Sequence, residues 1–502
     1  MKRSIFLMLI ILVLLGACEI KEFALPKWDV DLRIPLIYQR FYVSDLADEV
    51  NIIIDDDDVL TLVANGMMDT PEIGTISMYP HFSEHDLPVI SGVVIDEEFP
   101  FINPGLEMEL HFGRVDSGML RYKFDNVEPT ADISIEFHNI KNDFGEKLKI
   151  VSGGGDGWQN IDLAGYHFGE KDAGAPLENI QLTVNSTSSL PSGMPIALFS
   201  IELTEPLYFC EFHGLLSDHQ IGLNESTSAI EIEYPENINE AIILQEAALI
   251  IDVENQLQFR CEFEGEFVAI GASDQRTIQI KDNQGNNFAI EPATADGPSI
   301  TRLFIENGLN DLLQVMPTQV LMNEAKFNIS TEHGSGKLKS TDMLSVDYNI
   351  SAPFKFILQD MPVTIGDPVR VEISEDNQEI FTERVVEAKM EFEIRNLLPL
   401  GGRADVFLSV DKDIDPDDPS SFNFAKSVTL LSHQASDGEP QYIPLILDNE
   451  ELRIFSNPEV FLKWRFSFED THGEPVTVHA GDMDYIELRS MVSAKVLIGE
   501  ID

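Results

Sequence analysis

The sequence predicts an all-β chain of tandem sandwich units. Three observations carry that prediction: period-two alternation along nearly every apolar segment, one alternating segment that recurs at a fixed spacing, and enough apolar material for packed cores. Residues 29–36, 133–137, 278–280, 369–373 and 485–488 alternate apolar and polar side chains, which turns the apolar ones to one face of a half-buried strand. Hydrophobic residues make up 43% of the chain, with 31 Phe, so this acidic protein is no disordered tail. A length of 502 residues suits three or four domains.

The recurring segment is Glu-Ala-x-φ-x-φ-x-φ-x-Asn-x-Leu-x-φ, with φ apolar. It starts at Glu246 and again at Glu387, 141 residues later. The same offset relates Asp296-Gly297 to Asp437-Gly438, Asn307 to Asp448, Pro317 to Pro458, and residues 230–232 to 371–373. Further on the register slips by one residue, with Asp342-Met343 meeting Asp482-Met483 and Ser351-Ala352 meeting Ser493-Ala494. A single register over so long a stretch indicates a tandem duplication. A diverged third copy reads Ala-x-φ-x-φ-x-φ-x-Asn from Ala131, and its Met194-Pro195 stands where Met316-Pro317 stands in the next copy.

Each unit is expected to run in one order. A strand ends at Asn139, Asn255 or Asn396, because Asn tolerates left-handed backbone and caps turns. A hairpin follows, then a second strand, 300–306 or 442–447, stopped by Asn307 or Asp448 as the N-cap of a short helix. That helix, 308–315 or 449–455, ends before its proline, since the residue preceding Pro is pushed out of helical geometry. Long strands, 343–358 and 485–498, close the unit. About seven strands with one short helix suit an immunoglobulin-like sandwich. The strand running into a turn Asn also resembles the late-embryogenesis-abundant type of β-sandwich, over about ten residues per unit and without the Asn-Pro-Asn turn usual there.

The expected organisation is a leader at 1–17, a tether at 18–27, an N-terminal β-rich domain at 28–113, and sandwich units at 114–225, 226–366 and 367–502. Lys2 and Arg3 precede an apolar run at 5–15, the size of a signal-peptide core and short for a membrane span. The run ends in Leu15-Gly16-Ala17-Cys18, which resembles the lipobox of bacterial lipoproteins. That resemblance implies cleavage before Cys18, a diacylglyceryl group on its thiol, and acylation of the new N-terminus. Two or more acyl chains hold a protein firmly to a membrane. Glu19, where Asp would argue for inner-membrane retention, points to the outer membrane. An extended 19–27 segment would hold the next residues about 30 Å from the lipid.

The chain has 33 basic and 87 acidic residues, net −54, and losing Lys2 and Arg3 with the leader makes that −56. Such a surface repels nucleic acid and anionic headgroups. It leaves cations, basic envelope proteins or neutral ligands such as glycans as partners, or serves simply as a soluble coat. Beyond the anchor, Cys210 and Cys261 lie in similar surroundings, Cys-Glu-Phe-His-Gly and Cys-Glu-Phe-Glu-Gly. Strands there would turn each Cys and its Phe to one buried face. A disulfide between them and two buried thiols both remain open.

Few motifs carry chemistry. His81, Glu84 and His85 fit H-x-x-E-H, a zinc-protease pattern that needs a helix, but Pro80 and Pro88 bracket it and strands flank it. Asp411, Asp413, Asp415, Asp417 and Asp418 crowd one loop, as calcium ligands do, yet Pro416 and Phe422 stand where an EF-hand needs Gly and Glu. A solvated loop, with structural calcium as the alternative, is expected. Asp55 to Asp58 read as a charged hairpin turn. The glycine-rich residues 152–157 are not followed by a basic helix, so phosphate binding is not expected, and His333-Gly334-Ser335-Gly336 is no nucleophile elbow. A glycosidase needs only two carboxylates, which 87 acids hide. The expected function is a non-enzymatic, membrane-anchored binding or scaffolding ectodomain. A carrier of lipid or another apolar ligand, and a polysaccharide or peptide hydrolase, are the alternatives.

Overall fold

The computed structural model describes residues 28–47, 50–80, 82–101, 108–153, 157–171, 174–216, 219–230, 241–272, 274–329, 334–359, 361–481 and 483–498. Strands make up 59% and helices 7%, in several antiparallel sheets. The chain divides into two compact units, one of residues 1–61, 233–245 and 354–502, the other of 62–232 and 246–353.

In the first unit two four-stranded sheets enclose one core. One sheet has the order Trp28–Tyr42, Tyr485–Ile498, Val385–Asn396, Gln441–Leu447. The other runs Met361–Glu372, Glu459–Phe468, Gly402–Ser409, Phe424–Leu430. The alternation expected from the sequence is met: Met390, Phe392 and Ile394 from one sheet are buried together with Val406, Leu408 and Leu462 from the other. Phe392 meets the Trp464 ring edge-on at 5.7 Å across the gap. The helix Glu375–Glu383, which no period-two pattern announces, starts at Ser374, whose Oγ accepts from the Asn377 amide. Its Phe381 packs on Phe455 at 5.4 Å.

The residues 28–113 are not a domain of their own. Trp28–Tyr42 pairs along its whole length with the last strand, from Trp28 opposite Ile498 to Tyr42 opposite Tyr485. It buries Ile34 and Ile37 in the core just described. Alternation reveals the buried face of a strand but not its neighbour, so a partner more than 440 residues away left no mark in the local sequence. Pro35 fits because this is an edge strand with a register shift between Pro35 and Ile37, where a missing N–H costs little.

In the second unit the strands Leu344–Pro353, Ala248–Asn255 and Ser299–Ile305 lie in that order, with Leu60–Asp69 on the open side of Leu344–Pro353. Gly66 is needed there, because a Cβ would fall 2.3 Å from the Tyr348 ring. A further sheet has the order His219–Gly222, Gln319–Ile329, Cys261–Ile270, Gln275–Gln279. The rest of the unit holds a nine-stranded sheet and the four-stranded sheet Gln159–Asp162, Met119–Asp125, Pro195–Leu203, Ser83–Ile90.

The two segments that match in sequence also match in turn chemistry. Asn255, fully buried, donates from Nδ2 to the Phe259 and Glu291 carbonyls at 3.1 and 3.0 Å and accepts from the Leu257 amide at 2.9 Å. Asn396, also buried, donates to the Leu400 and Leu431 carbonyls at 2.7 and 2.9 Å and accepts from the Leu398 amide at 3.0 Å. Asn139 departs from expectation. It does not end its strand, which continues as Asp132–Asn142 and returns as the hairpin strand Lys147–Val151 with a register shift. Its side chain instead ties the neighbouring strand, donating to Asn179 O and accepting from Gln181 N.

The helix starts divide in the same way. Asp448 caps Asn449–Leu452 with a full capping box, accepting from the Glu450 and Glu451 amides while its own amide donates to Glu451. Asn307 does not cap Leu309–Leu313. Gly308, at φ 80, takes that position, and Asn307 bonds Asn283. Left-handed backbone favours Gly over Asn there.

Candidate functional site

Within the second unit, one face of the nine-stranded sheet collects basic side chains. Cα partners run from Lys339 through Glu211, Arg114, His167 and Lys141 to Lys147, across six strands. The strand Leu207–Leu215 presents Glu211 and His213 to this face because its register shifts between Phe209 and Glu211, which leaves Phe209 and Phe212 buried on the other. Phe112 lies beneath, with the rings of His213 and His167 at 4.9 and 5.4 Å and the Lys171 ammonium at 5.6 Å. Arg114 pairs with Asp143 at 2.5 Å, Lys147 with Glu136 at 2.7 Å, and Lys141 with Glu170.

At the edge of this face, where the strand Gly336–Lys339 pairs with Leu207–Leu215, lies a cleft of about 410 Å³. Its walls include Lys171, Glu211, His213, Asp296, Lys337, Lys339 and Asp342. Lys171 pairs with Glu211 at 2.7 Å. Burial pushes the Glu211 carboxyl up, but the hydrogen bond and charge of Lys171, with His213, outweigh it and hold the group below the usual carboxylate range. His213 is 5% exposed, and its Nδ1 and Nε2 face the Lys171 carbonyl at 3.2 Å and Glu211 at 3.1 Å. Both partners are acceptors, which only the protonated ring satisfies together, while burial pushes its pKa down. Asp342 accepts from the Lys339 amide at 2.7 Å, and burial raises its carboxyl.

Burial also lowers the pKa of His167 and His219. All three histidines would titrate near 6.5 in the unfolded chain, so below that value the unfolded state binds more protons than the folded one. Their contribution to stability is complete above pH 6.5 and is lost as pH falls toward their folded values. The midpoint of thermal unfolding of this unit, followed by Trp158 fluorescence, is therefore expected to fall between pH 7 and pH 5. His213→Gln should flatten that slope.

The residues singled out from the sequence fall elsewhere. Cys18 lies outside the described residues, as does His81. Glu84 and His85 sit on the strand Ser83–Ile90, and His85 lies 3.6 Å from Glu202, so no helix presents this motif. Cys210 and Cys261 are free thiols on strands of two different sheets, so the disulfide that the sequence left open is not formed. Cys261 and Phe263 share a buried face, as the alternation implied. Cys210 falls at the register shift and is only half-buried, while Phe212 is fully buried. Burial pushes the Cys261 thiol up to about 12, leaving almost no thiolate near neutral pH.

The acidic loop caps its own turns. Asp411 accepts from the Asp413 amide, Asp415 from Asp417, and Asp418 from Ser420, while Arg465 reaches Asp417 at 3.0 Å. Among the described residues no three His, Cys, Asp or Glu side chains converge as a metal site. Asp55 likewise accepts from the Asp57 and Val59 amides, which makes 55–58 the charged turn expected.

Sequence reading missed the cleft. Its charges come from four separate stretches, and the one local sign is Gly336-Lys337-Leu338-Lys339 in so acidic a chain.

No family model and no curated protein matches the chain. Among solved structures, a Parabacteroides distasonis protein described as secreted is 9% identical, with a TM-score of 0.35 over 93% of this chain and 99% of that one. N-glycanase F is 12% identical, with a TM-score of 0.14 over 54% of this chain and 88% of its own. The tandem CBM22 domains of Paenibacillus barcinonensis Xyn10C are 7% identical, with a TM-score of 0.13 over 56% and 99%. At such scores these likenesses assign neither a family nor a function.

Proposed function

We propose that the chain is an exported lipoprotein, held to the envelope and most simply to the outer membrane by acyl chains on Cys18. Its ectodomain is a non-enzymatic binding or scaffolding module of duplicated, immunoglobulin-like sandwiches. The observation that supports the module is the paired geometry of Asn255 and Asn396. The signature that repeats in the sequence pins a buried turn in both places, so what the copies share is accounted for by folding. Residues kept for catalysis in each copy would have appeared among the shared positions. The anchor rests on the apolar run and on Leu15-Gly16-Ala17-Cys18.

The anchor is tested by the mass of the N-terminal fragment of membrane-purified protein, expected to begin at a lipid-modified Cys18, and by Cys18→Ala, expected to leave the membrane fraction. An unmodified Cys18 overturns it. The binding role is tested by cross-linking in intact cells. A full-length protein that stays monomeric and captures neither an envelope protein nor a glycan overturns that part.

A further inference from the structure

We infer that the cleft between the strand Gly336–Lys339 and residues 293–298 binds a small acidic saccharide unit, with Lys337 and Lys339 holding its anionic group. This deepens the binding reading above and names a ligand class for it.

The argument starts from charge. Only 33 basic residues serve a chain with 87 acids, yet three lysines line this one cleft and match the three carboxylates of Glu211, Asp296 and Asp342 there. Lys171 is engaged by Glu211, whereas among the described residues Lys337 and Lys339 enter no ion pair. Both are exposed. As alternate residues of one strand they point to the same face, with stems about 7 Å apart. Opposite them lie His213 and Glu211, the Cα partners of Lys337 and Lys339.

The acids in the cleft restrict what can bind. A metal ion or organic cation would meet three ammonium groups. A bare inorganic anion would meet the Glu211, Asp296 and Asp342 carboxylates, whose oxygens only accept hydrogen bonds. A ligand with hydroxyl groups as well as an anion satisfies both: its O–H groups donate to the carboxylates, and its carboxylate or sulfate takes the lysines. Gln258 offers further donors and acceptors, and Gln256, whose Oε1 accepts from the Met343 amide, keeps its amide N–H donors. The volume, about 410 Å³, lies within the ordinary range for small-ligand sites, roughly 300–1,000 Å³. The acidic remainder of the molecule repels anions at long range, but at 0.15 M salt that repulsion is screened beyond about 8 Å and contacts inside the cleft decide.

The test is calorimetric titration of full-length lipidated protein in detergent, at 0.15 M salt, with a glucuronate-containing disaccharide, a sulfated disaccharide, the neutral parent disaccharide and inorganic sulfate. One or both acidic disaccharides should bind saturably, and which one does identifies the anionic group. The neutral sugar and sulfate alone should bind at least tenfold more weakly. The double variant Lys337→Ala/Lys339→Ala, altered only at exposed positions and checked for an unchanged melting curve, should lose at least tenfold in affinity. Asp342→Asn should weaken both acidic sugars without strengthening the neutral one. Sulfate binding as tightly as the sugars, no saturable binding of either acidic sugar, or binding indifferent to the lysine variant each overturns the inference. Such failure leaves the lipid anchor and any cross-linked partner standing, so it is distinguishable from failure of the proposed function.

Discussion

Removing residues 28–42 is expected to prevent the 354–498 sandwich from folding, although the deletion touches none of that segment's own sequence. The lost strand buries Ile34 and Ile37 and packs Leu32, Leu36 and Phe41 against the core. At roughly 1.5–3 kcal/mol for each fully buried aliphatic side chain, the loss approaches the ~5–15 kcal/mol that is the whole stability of a typical domain. Deletion would also bare the Tyr485–Ile498 edge, a row of unpaired N–H and C=O groups that invites aggregation. The outer face loses a second tie, since Glu487, buried among charges, accepts from Arg40 at 2.7 Å and pairs with Arg489 at 2.5 Å. Trp464 lies in this core, so its fluorescence should report an unfolded environment in the deletion variant. A synthetic peptide of residues 28–42 should restore the native signal by adding back the strand. A deletion variant that melts like the parent would show that Trp28–Tyr42 is dispensable.

That strand also marks where the sequence stops being legible. Period-two alternation locates the strands Asp132–Asn142, Val385–Asn396 and Tyr485–Ile498, and Asp448 as N-cap and the prolines at 317 and 458 bound the short helices well. Each of these is written within a few residues of where it acts. Partner choice is not written locally, which is why the sequence groups Trp28–Tyr42 with its chain neighbours rather than with residues 485–498. The helix Glu375–Glu383 had a local signal, Ser374 followed by Glu375 and Asp376, but a reading tuned to alternation passes over it. The cleft is the extreme case. Net charge is a sum over the whole chain, and a total of −54 hides lysines that only the pairing of strands 207–215 and 336–339 brings together.

The turn asparagines give the second large effect, and it bears on whether the two segments derive from one unit. Asn396→Ala leaves the Leu400 and Leu431 carbonyls and the Leu398 amide without partners at a site 2% exposed. Each buried unpaired group costs about 1–3 kcal/mol, so a loss of about 3–5 kcal/mol is expected once water and relaxation recover part of it. Asn255→Ala should cost the same within its own unit, because the same three kinds of bond are lost. Asn139→Ala, in a half-buried position with two bonds to the next strand, should cost about 1 kcal/mol. The measurement is chemical denaturation read at Trp464 and Trp158 in a Trp28→Phe background, which leaves one tryptophan in each unit. Asn396→Ala should shift the Trp464 transition, and Asn255→Ala the Trp158 transition, by similar amounts. Equal and large penalties at 255 and 396, against a small one at 139, are what a shared turn inherited by two copies requires. A negligible penalty at either of the first two would leave the sequence match without a structural reason.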